Sequence, residues 1–131
     1  MSTSPVTVGP EDSLLQVMDL MRLHGIRRVP VVLAHSVVGL VAEGDLKRVQ
    51  PSPLQGSVAE YDTLMGETPV SKIMIRDPLT VTEDSPLVEA ARTLNSTKYG
   101  ALPVLKDGVL VGMLTDTDLS GCLVEILTHA G

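Results

Sequence analysis

The stretch Gly112-Met113-Leu114-Thr115-Asp116-Thr117-Asp118-Leu119 reads as a short buried strand running directly into the first turn of a helix. Met113 and Leu114 are apolar, and Thr115 can cap. Asp116 and Asp118 sit where the free N–H groups of a helix start favour negative side chains. The Thr115 hydroxyl and, three residues on, the Asp118 carboxylate then project near one set of backbone donors. Together they can hold a sugar diol with the carboxylate and a phosphate with the hydroxyl and amides. Taken alone, the stretch is more simply a capped helix start. Its weight comes from an earlier, degraded copy, Gly39-Leu40-Val41-Ala42-Glu43-Gly44-Asp45-Leu46.

Displacing the sequence by 73 residues aligns Thr7–Leu46 with Thr80–Leu119 without a gap. Nine of the 40 positions are identical, where composition alone would give roughly two or three. Several of the shared residues are structurally costly types: Pro30/Pro103, Gly39/Gly112 and Asp45/Asp118. The chain is an internal duplication.

Each copy parses alike. Val6-Thr7-Val8 and Leu79-Thr80-Val81 are short extended pieces. Asp12 and Ser85 are cap-capable, and Pro86 stands at the first helical position, where its missing N–H costs nothing. Leu14, Val17, Met18 and Met21 form a helical stripe, as do Leu87, Ala90, Ala91 and Leu94. Val29–Leu33 and Leu102–Leu105 are β-branched or apolar runs with Pro30 and Pro103 as strand punctuation. His35-Ser36 and Lys106-Asp107-Gly108 connect them tightly to Val37–Val41 and Val109–Leu114, which predicts two hairpins. Closing helices begin near Glu43 and Asp116.

Between the copies, Gln50–Gly56 is rich in helix and strand breakers. Ser57–Met65 predicts a short helix, with Val58, Tyr61 and either Leu64 or Met65 on its inner side, and Pro69–Met74 a further helical turn. No counterpart of that turn is visible before Val6. The expected organisation is a first repeat over 1–50, a linker over 51–70 and a second repeat over 71–131, together one module. Met18, Met21 and Met65 are expected to fill the core.

At 131 residues the chain can bury one real core, and its 44% hydrophobic and 20% charged composition is that of a globular protein. With 2% aromatics and a net charge of −6, base stacking and general phosphate-backbone binding are disfavoured. Cys122 is the one cysteine, and His24, His35 and His129 are scattered, so neither a disulfide framework nor a zinc site is expected. No Gly-x-Ser-x-Gly, phosphate loop or Cys-His pair announces nucleophilic or phosphoryl chemistry, and a non-enzyme is expected. Without an apolar run long enough to cross a bilayer, or a signal-like N-terminus, a cytoplasmic location is expected.

The tandem pattern resembles a pair of cystathionine β-synthase (CBS) domains, a Bateman module. The residues that carry the resemblance in the first copy are Val6-Thr7-Val8, Gly25–Val32 and Val38-Gly39-Leu40-Val41-x-x-x-Asp45-Leu46. In the second they are Lys72-Ile73-Met74-x-x-Asp77-Pro78-Leu79-Thr80-Val81, Gly100–Val104 and Val111-Gly112-Met113-Leu114-Thr115-x-x-Asp118-Leu119. The resemblance implies an α/β (α+β) fold of two β-α-β-β-α repeats related by a pseudo-two-fold and packed through their small sheets.

It also implies a regulatory, energy-sensing role. Adenine nucleotides or other adenosyl compounds (AMP, ADP, ATP or S-adenosylmethionine) would bind in clefts between repeats, and no further cofactor or metal would be required. A homodimer is implied, together with a regulated enzyme, channel or transporter. The main cleft would combine Thr7, Ile26, Arg27 and Arg28 with Met113, Thr115, Thr117 and Asp118. There Asp118 would accept from both ribose hydroxyls, Thr115 and Thr117 would meet phosphate, Arg27 or Arg28 would neutralise it, and Ile26 and Met113 would pack on the base. The second cleft would combine Asp45 with Thr80, Tyr99, Gly100 and Ala101. It is degenerate, because Ala42 replaces the hydroxyl and no arginine stands in for Arg27 or Arg28; Tyr99 could stack on adenine or belong to the core. A ligand-free dimerisation module is the alternative.

Overall fold

The computed structural model describes residues 2–3, 5–49, 58–97 and 100–115. It is a mixed α+β chain in two compact units, one of Val6–Pro78 and one of Met1–Pro5 with Leu79–Gly131.

In the unit Val6–Pro78, helix α1 (Leu14–His24) starts in a reciprocal cap. Ser13 Oγ accepts from Gln16 N–H at 3.1 Å, and Gln16 Oε1 accepts from Ser13 N–H at 2.7 Å. Two otherwise free donors are satisfied this way. Gly25, left-handed at φ 63°, ends the helix by donating its N–H to Met21 O. Leu14, Val17 and Met21 are buried and Met18 packs beside them, as the stripe predicts.

Strands β2 (Arg28–Leu33) and β3 (Ser36–Ala42) form an antiparallel hairpin that runs from Arg28 opposite Ala42 to Leu33 opposite Ser36. Helix α2 (Glu43–Val49) follows at once. Helix α3 (Val58–Glu67) crosses α1 and resolves the choice between its two inner candidates: Met65 is fully buried and Leu64 is exposed. A 3₁₀ turn at Val70–Lys72 then leads to β4 (Ile75–Arg76), paired with β3 through Leu40–Ile75 and Gly39–Arg76. The core comprises Val8, Leu14, Val17, Met21, Val29, Val31, Val41, Leu46, Met65 and Val70.

The other unit repeats the plan. Strand β5 (Val81–Thr82) lies parallel to β6 (Ala101–Lys106), helix α4 (Leu87–Asn95) connects them, and β7 (Val109–Thr115) pairs antiparallel with β6. Strand β1 (Ser2–Thr3) adds to the far edge of β7, giving the order β1-β7-β6-β5. Val81, Ala90, Leu94, Leu102, Val104 and Leu114 form the core.

The duplication extends to the hydrogen-bond register. Arg28–Ala42 becomes Ala101–Thr115, and Val8–Val31 becomes Val81–Val104, each displaced by 73. The irregularity at Val31/Val32 recurs at Val104/Leu105. The leading strands follow the same arithmetic crosswise: Ser2–Met113 corresponds to Ile75–Leu40. Each unit is therefore completed by the leading strand of the other sequence copy.

Four local expectations change. Pro30 and Pro103 lie inside β2 and β6, where Pro30 pairs with Leu40. In β2, Val8 N–H donates to Pro30 O at 3.2 Å and Val32 N–H to Val8 O at 2.8 Å. Residues 30 and 32 thus turn their backbone groups toward Val8, so the proline's missing donor falls on that short pairing and not on the β2–β3 hairpin. Pro86 is the N-cap of α4, one position before the first helical residue. Asp12 and Ser85 close the preceding turns instead of the helices, accepting from Gly9 N–H at 2.8 Å and Thr82 N–H at 3.0 Å. The first hairpin turns at Ala34-His35, not His35-Ser36, and both residues are left-handed, as are Asp107 and Gly108 at the equivalent turn.

Candidate functional site

The open end of each hairpin carries residues that the sequence marks as candidates. In Val6–Pro78, Arg28 begins β2 directly opposite Ala42, the last residue of β3. Glu43, the first residue of α2, donates its N–H to Arg27 O at 2.8 Å. The Ile26–Arg28 segment is thereby tied to the start of α2. Arg27 and Thr7 are exposed, while Ile26 and Arg28 are half-buried.

Asp45 sits in the first turn of α2, and both its carboxylate oxygens have partners. Oδ2 accepts from Ala42 N–H at 3.1 Å, and Oδ1 accepts from Arg48 Nη2 in a short ion pair. This is half of a capping box: the acid three residues into the helix reaches back to an N-cap residue that has no side-chain oxygen of its own. One turn away, Lys47 Nζ lies 2.8 Å from Glu43 Oε1. The Lys47 hydrogen bond and charge hold the Glu43 carboxyl below its ordinary range, and the charge of Arg27 lowers it further.

In the other unit, Ala101 begins β6 opposite Thr115. Ala101 and Gly100 are buried, and Gly100 has φ 63°, a conformation that L side chains rarely adopt. Met113 pairs with Pro103 and is 6% exposed; Thr115 is half-buried and Thr80 is exposed. Tyr99, Thr117 and Asp118 lie outside the described residues. The predicted main-cleft set thus divides between the units, with Thr7, Ile26, Arg27 and Arg28 in one and Met113 and Thr115 in the other. Of the second set, Asp45 belongs to the first unit and Thr80, Gly100 and Ala101 to the second.

A cavity of about 310 Å³, which the sequence does not announce, opens between α1 and α2, lined by Met18, Met21, Arg22, Glu43, Leu46 and Lys47. The methionine stripe of α1 is its only signal, and that signal is shared with ordinary core packing. Among the described residues, no group of three or more His, Cys, Asp or Glu side chains is placed to hold a metal ion. No helix among them is long and apolar enough to cross a membrane.

The CBS domain family model matches residues 1–52 and 70–125. A CBS domain-containing protein of Dictyostelium discoideum is 35% identical over 131 residues, covering 97% of this chain and 90% of that protein. An inosine-5′-monophosphate dehydrogenase of Korarchaeum cryptofilum is 33% identical over 115 residues; the match spans 87% of this chain but 21% of the dehydrogenase. Among solved structures, CBSX2 in complex with AMP superposes with a TM-score of 0.75 at 27% identity, covering 94% of this chain and 90% of that one. A CBS domain pair in complex with 5′-methylthioadenosine and S-adenosyl-L-methionine shares the fold at a TM-score of 0.77 and 21% identity, covering 96% and 93%. With two family matches that coincide with the two halves of the internal repeat, the chain belongs to the CBS domain family as a tandem CBS pair.

Proposed function

We propose that this chain is a regulatory module that binds an adenine nucleotide or related adenosyl compound and has no catalytic activity of its own. The observation that carries the reading is the AMP complex of CBSX2, a relative of the same fold over nearly the whole chain. The local chemistry agrees. Asp118 offers a carboxylate for the ribose diol, and Thr115 and Thr117 offer hydroxyls beside a helix-start sequence. Arg27 and Arg28 supply positive charge for phosphate in a chain of net charge −6. Ile26, Met113 and Thr7 are the remaining candidates for contact with the ligand. The ligand would act by binding one arrangement of the module more tightly than another, and the module would pass that bias to an enzyme, channel or transporter. The match to one segment of a dehydrogenase is consistent with such a pair being carried within an enzyme chain. A homodimer is the expected assembly.

The alternative, a dimerisation module that binds no ligand, is favoured by Asp45: the acid in the described copy of the motif is engaged as a cap. Thermal melting with AMP, ADP, ATP and S-adenosylmethionine at millimolar concentration separates the readings. A rise in Tm with at least one of them is expected, and no shift with any supports the alternative.

A further inference from the structure

The methionines read from sequence as core filling do not share one environment. Met65 is fully buried and Met21 is 5% exposed, while Met18, one turn before Met21 on α1, is half-buried. The sulfur of Met18 meets a phenol: the Tyr61 hydroxyl, on α3, donates to Met18 Sδ at 3.9 Å. Met18 also lines the cavity of about 310 Å³ that opens between α1 and α2. That space is roughly ten times the volume a water molecule takes up in the liquid, so hydrogen peroxide can enter it and an added oxygen atom has room.

The other thioethers among the described residues are placed differently. Met21 borders the same cavity but belongs to the buried core. Met113 is 6% exposed within β7. Met74 is half-buried, but its sulfur lies so close to Gly39 that a β-carbon there would overlap it. Oxidation of a thioether follows its access to the oxidant, and on that ground Met18 stands apart.

We propose that Met18 is a methionine-sulfoxide site at the contact between α1 and α3, oxidised by peroxide ahead of Met21, Met65, Met74 and Met113, with the Tyr61 hydroxyl holding the product oxygen. A lone pair on Sδ attacks one peroxide oxygen and the O–O bond breaks. The leaving hydroxide takes the proton of the transferred oxygen and departs as water; sulfur loses two electrons and the peroxide gains them. The product replaces a weak acceptor by a strong one, beside a donor already in place. Without that donor the polar oxygen would cost more stability at a half-buried position. The proposal stands whether or not the chain binds an adenosyl compound.

The experiment treats the full chain with hydrogen peroxide, then with dithiothreitol to reverse reversible oxidation at Cys122, and maps the oxygen gained at each methionine by mass spectrometry. Met18 is expected to gain oxygen about threefold or more faster than Met21, Met65, Met74 or Met113. Wild type oxidised at Met18 should melt about 3–6 °C below its untreated form. Met18→Leu carried through the same treatment should keep its Tm. In Tyr61→Phe, oxidation at Met18 should lower Tm by about twice as much as in the wild type, each protein being compared with its own untreated form.

Another of those methionines oxidising as fast as Met18 would overturn the proposal, and so would equal losses of Tm in the wild type and Tyr61→Phe. Should Tyr61→Phe not fold, the ring-carbon NMR signals of Tyr61 in the wild type decide: a shift on oxidation of Met18 is expected, and unmoved signals would overturn the proposal.

Discussion

Gly39 faces Met74 so closely that a β-carbon at position 39 would overlap its thioether sulfur and lie 2.8 Å from its Cγ, with Ile75 O at 3.2 Å. This is where the chain returns as β4 to pair with β3. Glycine is needed here for space, so that a backbone can come close. Gly39→Ala must displace the Met74 side chain and press on a carbonyl, which is expected to cost about 1–3 kcal/mol. Met74→Ala removes the flexible part of that clash, so in a double-mutant cycle by urea unfolding the two changes together should cost about 1 kcal/mol less than their sum. Strict additivity would show that Gly39 and Met74 do not meet.

The hairpin turn at Ala34-His35 is the weak copy of a pair. Both residues are left-handed, at φ 50° and 70°, in the place where the second copy has Asp107-Gly108 at 54° and 80°. A two-residue hairpin turn with both residues at positive φ favours Asn-Gly or Asp-Gly, and an ordinary side chain there costs roughly 1–2 kcal/mol per residue. Replacing Ala34-His35 by Asn-Gly is therefore expected to raise stability by about 1–2 kcal/mol. Asp107-Gly108→Ala-His should lower it by a similar amount. Chemical denaturation of the two double variants checks both signs.

These elements show which features a sequence can carry. The helical stripe Leu14, Val17 and Met21 and the repeated hairpins are legible because burial imposes a period that recurs over many residues. The first turn lies one residue from its expected place because Ala34 and His35 carry none of the usual turn chemistry, and only the displacement from Asp107-Gly108 locates it. Strand β1 is invisible in the letters: two residues have no periodicity, and Ser2 and Thr3 owe their extended pairing to Met113 and Gly112 at the far end of the chain. At the site, residue types point to Arg27, Arg28 and Thr115, and Ala42 marks the first copy of the motif as degenerate, but the letters do not show that Asp45 is engaged by Ala42 N–H and Arg48. Thr117, Asp118 and Tyr99, which carry much of that reading, lie outside the described residues.

The Glu43–Lys47 pair makes a prediction about pH. Lys47, by hydrogen bond and then by charge, lowers the Glu43 pKa in the folded chain, with Arg27 adding to it. A carboxyl depressed on folding contributes stability that is present above its unfolded pKa and is lost as pH falls through the lower, folded value. In an NMR titration of the Glu43 carboxyl, Lys47→Ala should raise the pKa toward the ordinary glutamate range, and Arg27→Ala should raise it less. Because the pair is exposed to solvent, high salt should reduce the difference between wild type and Lys47→Ala. An Arg27→Ala shift larger than that of Lys47→Ala would contradict the geometry of α2.

Asp118 separates a ribose clamp from a helix cap. Asparagine accepts backbone hydrogen bonds and is as good a cap as aspartate, so Asp118→Asn should leave the melting temperature of the ligand-free protein nearly unchanged. As a clamp the loss is different in kind, because a carboxylate accepts from both ribose hydroxyls and an amide has one acceptor oxygen and two donors. A nucleotide at a hundredfold excess over its Kd stabilises a one-site protein by about 2.7 kcal/mol. Replacing a charge-assisted pair of hydrogen bonds is expected to cost about 1.5–3 kcal/mol of binding, a loss of roughly tenfold or more in affinity. Asp118→Asn should therefore remove about half or more of the ligand-induced rise in Tm at fixed ligand concentration, and Asp118→Ala most of it. Should Asp118→Asn bind as tightly as the wild type, the acid would be serving its helix alone.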